Sequence, residues 1–232
     1  MTDKEKLLAE IDKCLTETSR LKELVTAFIE NVEEDEVKDF TRLHVTEETF
    51  NVNEDKDWHL KDVLFVPVEG KEVAFRVEHI SKDRVYFVAV DAVGESTMGG
   101  MNRFLDDYLS KMPKSLVKRM SEIEHKVNGK IVRKNKLTLL SYANVIRDTD
   151  SYKLDGADDI PFDGLLTEIE RRKNDKNGKT HWYWLDTPWG RSPRVDSSTG
   201  FICVGIDGWP YDYGSAMNTS AVVPCFALSR RR

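Results

Sequence analysis

The run Lys179–Leu228, KTHWYWLDTPWGRSPRVDSSTGFICVGIDGWPYDYGSAMNTSAVVPCFAL, decides how the rest of the chain is read. Four of the five tryptophans fall in it (Trp182, Trp184, Trp189, Trp209), together with Tyr183, Tyr211, Tyr213, Phe201 and Phe226. Between these aromatics stand Ser, Thr, Asp, Gly and Asn, with almost no Lys or Glu. That mixture suits a recognition surface. Tyr and Trp supply large, rigid contact area at low entropic cost, while Ser, Gly and Asn adapt their hydrogen bonding.

The same run reads as short strands. His181–Leu185 is aromatic-rich and closes at Thr187-Pro188, and Gly200–Ile206 ends at the tight-turn pair Asp207-Gly208. Ala221–Leu228 is apolar but interrupted by Pro224, which predicts an edge or bulged strand. Trp209–Ser220 carries turn residues throughout and is expected to be a loop framed by strands.

Three segments carry a resemblance: Trp184-Leu185-Asp186-Thr187-Pro188, then Gly200-Phe201…Val204…Asp207-Gly208, then Val222-Val223-Pro224-Cys225-Phe226-Ala227-Leu228. In this order they resemble the C-type-lectin-fold domains of phage and bacterial proteins that share a WLR(S/T)P…V…DG…GVRPA-L pattern. Several of those domains are the variable proteins of diversity-generating retroelements. Asp186 stands where that family often has Arg, and Val223-Pro224-Cys225-Phe226 where it often has Arg-Pro-Ala. A looser likeness runs over Phe75–Val145, including Leu137–Val145 (LTLLSYANV). The resemblance implies an α+β, C-type-lectin-like domain with a small antiparallel sheet and flanking helices. It also implies that residues between the WLDTP strand and the terminal strand vary while the frame stays fixed.

The chain has 232 residues, 40% apolar and 33% charged, which suits one sizeable domain plus an appendage. No run approaches the ~18 apolar residues of a membrane span. Met1–Lys6 has no apolar segment behind it, so no signal peptide is expected; the protein would be cytoplasmic when made and reach a virion, such as a phage tail, by inclusion. The net charge of −6 argues against nucleic-acid binding. The Ser229–Arg232 tail reads as a solvated terminus. Cys14, Cys203 and Cys225 make an odd count without metal-ligand spacing, and the last two sit in apolar strand patterns as buried thiols.

Residues 1–32 predict a helix with a heptad seam, Leu7, Ile11, Cys14, Thr18, Leu21, Val25, Phe28 and Val32, widened by Leu8, Leu15 and Ile29. It would either drive homo-oligomerisation as a coiled coil or lie on its own domain. Residues 33–62 read as a charged linker with one small element, an edge strand or docking turn. The C-type-lectin-like ligand-binding domain then spans 63–228, with its display region at about 182–228. Within it Val63–Val68, Glu72–Glu78 and Val85–Val90 predict an antiparallel meander. Asn102–Leu109 and Leu116–Val127 have helical spacing, and Leu165, Leu166 and Ile169 form one stripe.

Catalytic chemistry finds little footing. Five scattered histidines lack metal spacing. Gly99-Gly100 has no following Lys-Ser/Thr, and no Gly-x-Ser-x-Gly elbow is present. The Glu-Pro-Asn and Gln-Pro-Asp tripeptides of calcium lectins are absent. Formylglycine-generating enzymes share the fold and act through paired cysteines, but Cys203 and Cys225 have no neighbouring Lys, Arg or His to lower a thiol pKa. The expectation is therefore a non-catalytic protein without metal or cofactor that binds a protein or glycan on a cell surface. Its candidate ligand-binding residues are Trp189, Arg191, Arg194, Asp196, Trp209, Tyr211, Asp212, Tyr213, Ser215, Met217 and Asn218, all in turn-rich segments. Trp182, Trp184 and Phe201 are assigned to the core. The alternatives are a structural phage component whose aromatic loop packs on a neighbouring subunit and, more distantly, a thiol enzyme.

Overall fold

A computed structural model describes residues 42–46, 50, 57–147, 154–175, 177–188 and 200–230, all within one compact unit spanning 41–232. The N-terminal helix expected over 1–32 lies outside the described residues. The described part is mixed α and β and consists mostly of sheet.

The main sheet begins with β1 (Arg42–His44), parallel to β2 (Val63–Val68). β2 turns back into β3 (Lys71–Ile80), and β3 into β4 (Arg84–Ala89), giving the antiparallel meander that the sequence alternation predicts. Glu69 and Gly70 both have positive φ, 50° and 74°, so the β2–β3 turn twists with the strands it joins. Next to β4 lies β14 (Pro224–Ser229), whose far side pairs with β6 (Met120–Ser121) and β9 (Thr138–Leu139). β14 is therefore central, not the edge or bulged strand expected from Pro224. The proline occupies the first position of the strand, where the missing N–H costs the ladder little.

A second sheet has the order β12 (Pro210–Ser215), β11 (Gly200–Val204), β10 (Tyr183–Pro188), β13 (Ser220–Val222) and β5 (Gly94–Ser96). The strand β12 replaces half of the loop expected over Trp209–Ser220. Its tyrosines favour extended backbone, and pairing with β11 outweighs the turn-forming Asp212 and Gly214.

Of the helices, α1 (Met101–Ser110) buries Met101, Leu105 and Tyr108 at helical spacing, followed by α2 (Lys114–Arg119), α3 (Tyr142–Val145) and α4 (Glu168–Arg171). The helix expected over Leu116–Val127 stops at Arg119. Beyond it β7 (Ile123–Val127) and β8 (Lys130–Asn135) form a hairpin about Asn128-Gly129, both at positive φ. An Asn-Gly pair accepts that geometry cheaply, and it overrides the helical spacing upstream. Among the described residues no helix is long and apolar enough to cross a membrane.

Phe226 on β14 packs between Phe75 and Phe87, at ring separations of 5.1 and 5.0 Å, and Trp58 meets Phe87 edge-on at 4.8 Å. Trp58 and Val45 are buried although both lie in the stretch read as a charged linker, where β1 supplies the small edge element. Asp186, at the position where the resembling family often has Arg, is buried 2.5 Å from Arg133 Nε and also accepts from Thr138 Oγ1. The positive charge thus comes from β8, and the guanidinium donates further to Asn102 on α1.

A second buried pair holds the segment after Leu154. His125 Nδ1 lies 2.8 Å from Asp159 Oδ1, and its Nε2 lies 3.0 Å from the Leu139 carbonyl. The carbonyl only accepts, so Nε2 donates; Asp159, whose pKa is held below the usual carboxylate range despite burial, accepts from Nδ1, so the imidazole is cationic. Burial alone would depress the His125 pKa, but Asp159 and the carbonyl reverse this and hold it above its ordinary value. Its stabilising contribution is complete below about pH 6.5 and is lost as pH rises through the folded-state value, at roughly 1.4 kcal/mol per pH unit between the two. Urea unfolding from pH 5 to 9 should accordingly show the wild-type advantage over His125→Gln shrinking above neutrality; an advantage independent of pH would contradict the charged assignment.

Candidate functional site

The aromatic end of the second sheet is built on the turn Gly205–Trp209. Gly205 N–H donates to the Trp209 carbonyl at 2.8 Å, and Gly208 N–H to the Gly205 carbonyl at 2.9 Å. Gly208 has φ +84°, and a Cβ there would stand 1.9 Å from the Glu168 carbonyl oxygen, so only glycine fits against α4. The turn therefore docks on α4 by backbone rather than by its own side chains.

Two arginines complete that docking. Arg171 is buried and donates from Nε to the Gly208 carbonyl at 2.7 Å; its Nη1 reaches the carbonyls of Val145, Leu165 and Leu166. Arg172 donates to the Asp207 carbonyl at 3.2 Å. The Tyr183 hydroxyl returns a bond of 3.0 Å to the Arg171 carbonyl, joining α4 to β10.

Asp207 organises the turn's exposed side. Its carboxylate accepts from the Tyr211 hydroxyl at 2.6 Å and from the Trp209 N–H at 3.0 Å. These bonds, the hydroxyl's first, hold the Asp207 carboxyl below the usual carboxylate range and push the Tyr211 hydroxyl up. The Tyr211 ring lies 4.9 Å from that of Trp182 at 41°. Around this turn large side chains stay open to solvent: Trp182 is 39% exposed, Tyr211 40%, Trp209 48%, Ile206 55% and, beside the turn on α4, Ile169 75%.

The candidate residues do not form one cluster. Tyr211 stands near the start of β12, opposite Cys203, and Trp209 immediately precedes the strand. Ser215 ends the strand opposite Gly200, and exposed Met217 and Asn218 follow in the next turn. The six residues of β12 put those two ends roughly 17 Å apart. Asp212 and Tyr213 belong to β12 between them. Trp189, Arg191, Arg194 and Asp196 lie outside the described residues.

Trp184 and Phe201 are buried, as expected, and the Trp184 indole donates to the Ser96 carbonyl at 2.9 Å. Trp182 is a correction: it precedes the first paired residue of β10 and so escapes the face that buries Trp184. Ile169 and Ile206 were missed as surface residues. For Ile206 a signal existed, a large apolar side chain immediately before Asp-Gly. Leu165, Leu166 and Ile169 do not make one stripe, because α4 has only four residues and Leu165 alone is fully buried.

The chemistry-bearing groups elsewhere point away from catalysis by thiolate. Cys203 and Cys225 occupy different sheets. Burial pushes the Cys203 thiol up to about 11 and Cys225 well above its ordinary value. Among the described residues no group of three His, Cys, Asp or Glu is placed to hold a metal ion. Concavities of about 370 and 400 Å³ lie beside β5 and beside the β2–β3 hairpin, and none of the candidate residues lines either.

No protein-family model matches the chain, and no match was found among curated proteins or solved structures.

Because four carbonyls share one guanidinium, Arg171→Lys should strand several buried acceptors and lower the unfolding free energy by about 2–4 kcal/mol. Urea denaturation checks this. A loss below about 0.5 kcal/mol, the usual range of surface substitutions, would show that the turn does not depend on Arg171.

Proposed function

We propose that the protein is a non-catalytic ligand-binding protein that presents the Trp182, Ile206, Trp209 and Tyr211 side chains on a C-type-lectin-like frame. One observation carries the reading. Large aromatic side chains remain open to solvent on a turn whose backbone is pinned to α4 and whose hydroxyl and amide are tied to Asp207. Exposed aromatics already held in place bind without the entropic cost of ordering them, which is what an interface anchor needs.

The frame reading is supported by the placement of the recognised segments. The WLDTP strand, the Gly200–Gly208 strand and turn, and the terminal strand are successive parts of two adjoining sheets. On this reading the ligand is a protein or glycan of a bacterial surface, and the protein is a phage- or prophage-encoded receptor-binding component, open to retroelement diversification. Assembly through residues 1–32 would raise avidity by linking several modest sites. A structural role, with the same face packed on a neighbouring subunit, is favoured over enzymatic action by the exposure of Ile169 and by the raised thiols.

Binding of fluorescently labelled full-length protein to intact bacterial cells, and to their isolated surface proteins and glycans, tests the reading. Saturable binding should appear on at least one fraction. Trp209→Ala and Tyr211→Ala should each weaken it at least about tenfold, or roughly 1.4 kcal/mol, with Lys82→Ala on the distant β3–β4 turn leaving it unchanged. Equal binding by all four proteins would remove the aromatic face from recognition.

A further inference from the structure

The aromatic face is larger than a small ligand needs. Taking about 200 Å² for a fully open large side chain, the exposed fractions of Ile169, Trp182, Ile206, Trp209 and Tyr211 leave on the order of 500 Å² of largely apolar surface. That is near the upper end for the largest patch on a monomer. A sugar stacked on the Trp182–Tyr211 pair would leave Ile206 and Ile169 wet. A protein surface covers all five.

The border of the patch carries both signs. Glu168 and Asp207 stand beside Arg172, which is held against the Asp207 carbonyl. A surface of mixed charge is self-complementary: a two-fold axis through the patch lays the acids of one copy toward the base of the other. Two such faces together bury about 1,000 Å², which falls in the weak and transient class of contacts rather than the obligate one. The repulsion between two chains of net charge −6 works in the same direction and is largely screened at physiological salt.

From this we infer that, in the absence of ligand, the face pairs with the same face of a second copy. The contact is a weak two-fold homodimer centred on Trp209 and Ile169, and ligand and second copy compete for one surface. The competition rests on the binding function proposed above; the self-association does not. The pinned turn favours it, because little is left to order on contact.

Sedimentation velocity of the full chain between roughly 1 and 300 µM, the range of a weak contact, tests the inference. Any assembly through residues 1–32 is common to all variants and sets the baseline mass. Above that baseline, the wild type should double its mass with concentration and keep doing so in ~0.5 M salt, where charge pairing is screened. Ile169→Asp and Trp209→Ser, both at exposed positions, should keep the wild-type circular dichroism and melting temperature yet lose the concentration-dependent step. A wild-type mass constant over the range would overturn the dimer, as would variants that double like the wild type. Neither result touches cell binding measured with dilute protein, so the two readings fail separately.

Discussion

Pairing of the chain's last strand on both edges is the constraint from which the rest of the structure follows. β14 is bonded to β4 through Cys225–Ser229 and to β6 and β9 on its other side, with Phe226 seated between Phe75 and Phe87. Val223 alone separates it from β13, which lies between β10 and β5 in the second sheet. The ten-residue run Ser220–Ser229 therefore passes directly from the second sheet into the first. The aromatic end of the second sheet takes its rigidity from a strand buried in the first.

Buried charge fixes how the segments between the sheets sit. Taking a charge out of water costs several kcal/mol, so each must find partners of suitable geometry. Asp186 finds Arg133. Glu78, fully buried, is met by Lys61 at 3.0 Å and by Arg76 at 2.6 Å. Lys61 reaches on to the Gly164 carbonyl, so this cluster ties β3 to the segment that leads into α4. Lys173, just beyond α4, donates to the Ala89 carbonyl, and burial pushes its pKa down to about 8. Arg171 then carries the arrangement to the display turn. From β14 through the sheets to α4 and Gly208, each step is held by backbone pairing or by a buried ion, and the exposed side chains of the turn contribute little to it.

Much of this is legible in the amino-acid order, for physical reasons that vary with the element. The β2–β3–β4 meander shows because alternation has no helical competitor there. The β7–β8 hairpin hides because Leu116, Met120, Ile123 and Val127 also satisfy helical spacing, and only Asn128-Gly129 breaks the tie. β14 reads as an edge when Pro224 is placed inside the strand and as a central strand when it is placed first. The Arg133–Asp186 pair could not be read locally, since its members are 53 positions apart. Of the candidate surface, Trp209 and Tyr211 were legible from their turn-rich setting. Trp182 and Ile169 were not, because their exposure depends on where β10 begins pairing and on how short α4 is.

Hydroxyl-radical footprinting of the dilute full-length protein, read residue by residue by mass spectrometry, tests most directly whether a rigid frame holds these aromatics in solvent. Trp209, Tyr211 and Trp182 should be modified rapidly in the native state, with Trp184 and Tyr183, a residue or two along the same strand, protected until the protein unfolds. Trp209 and Tyr211 protected as fully as Trp184 would contradict the account.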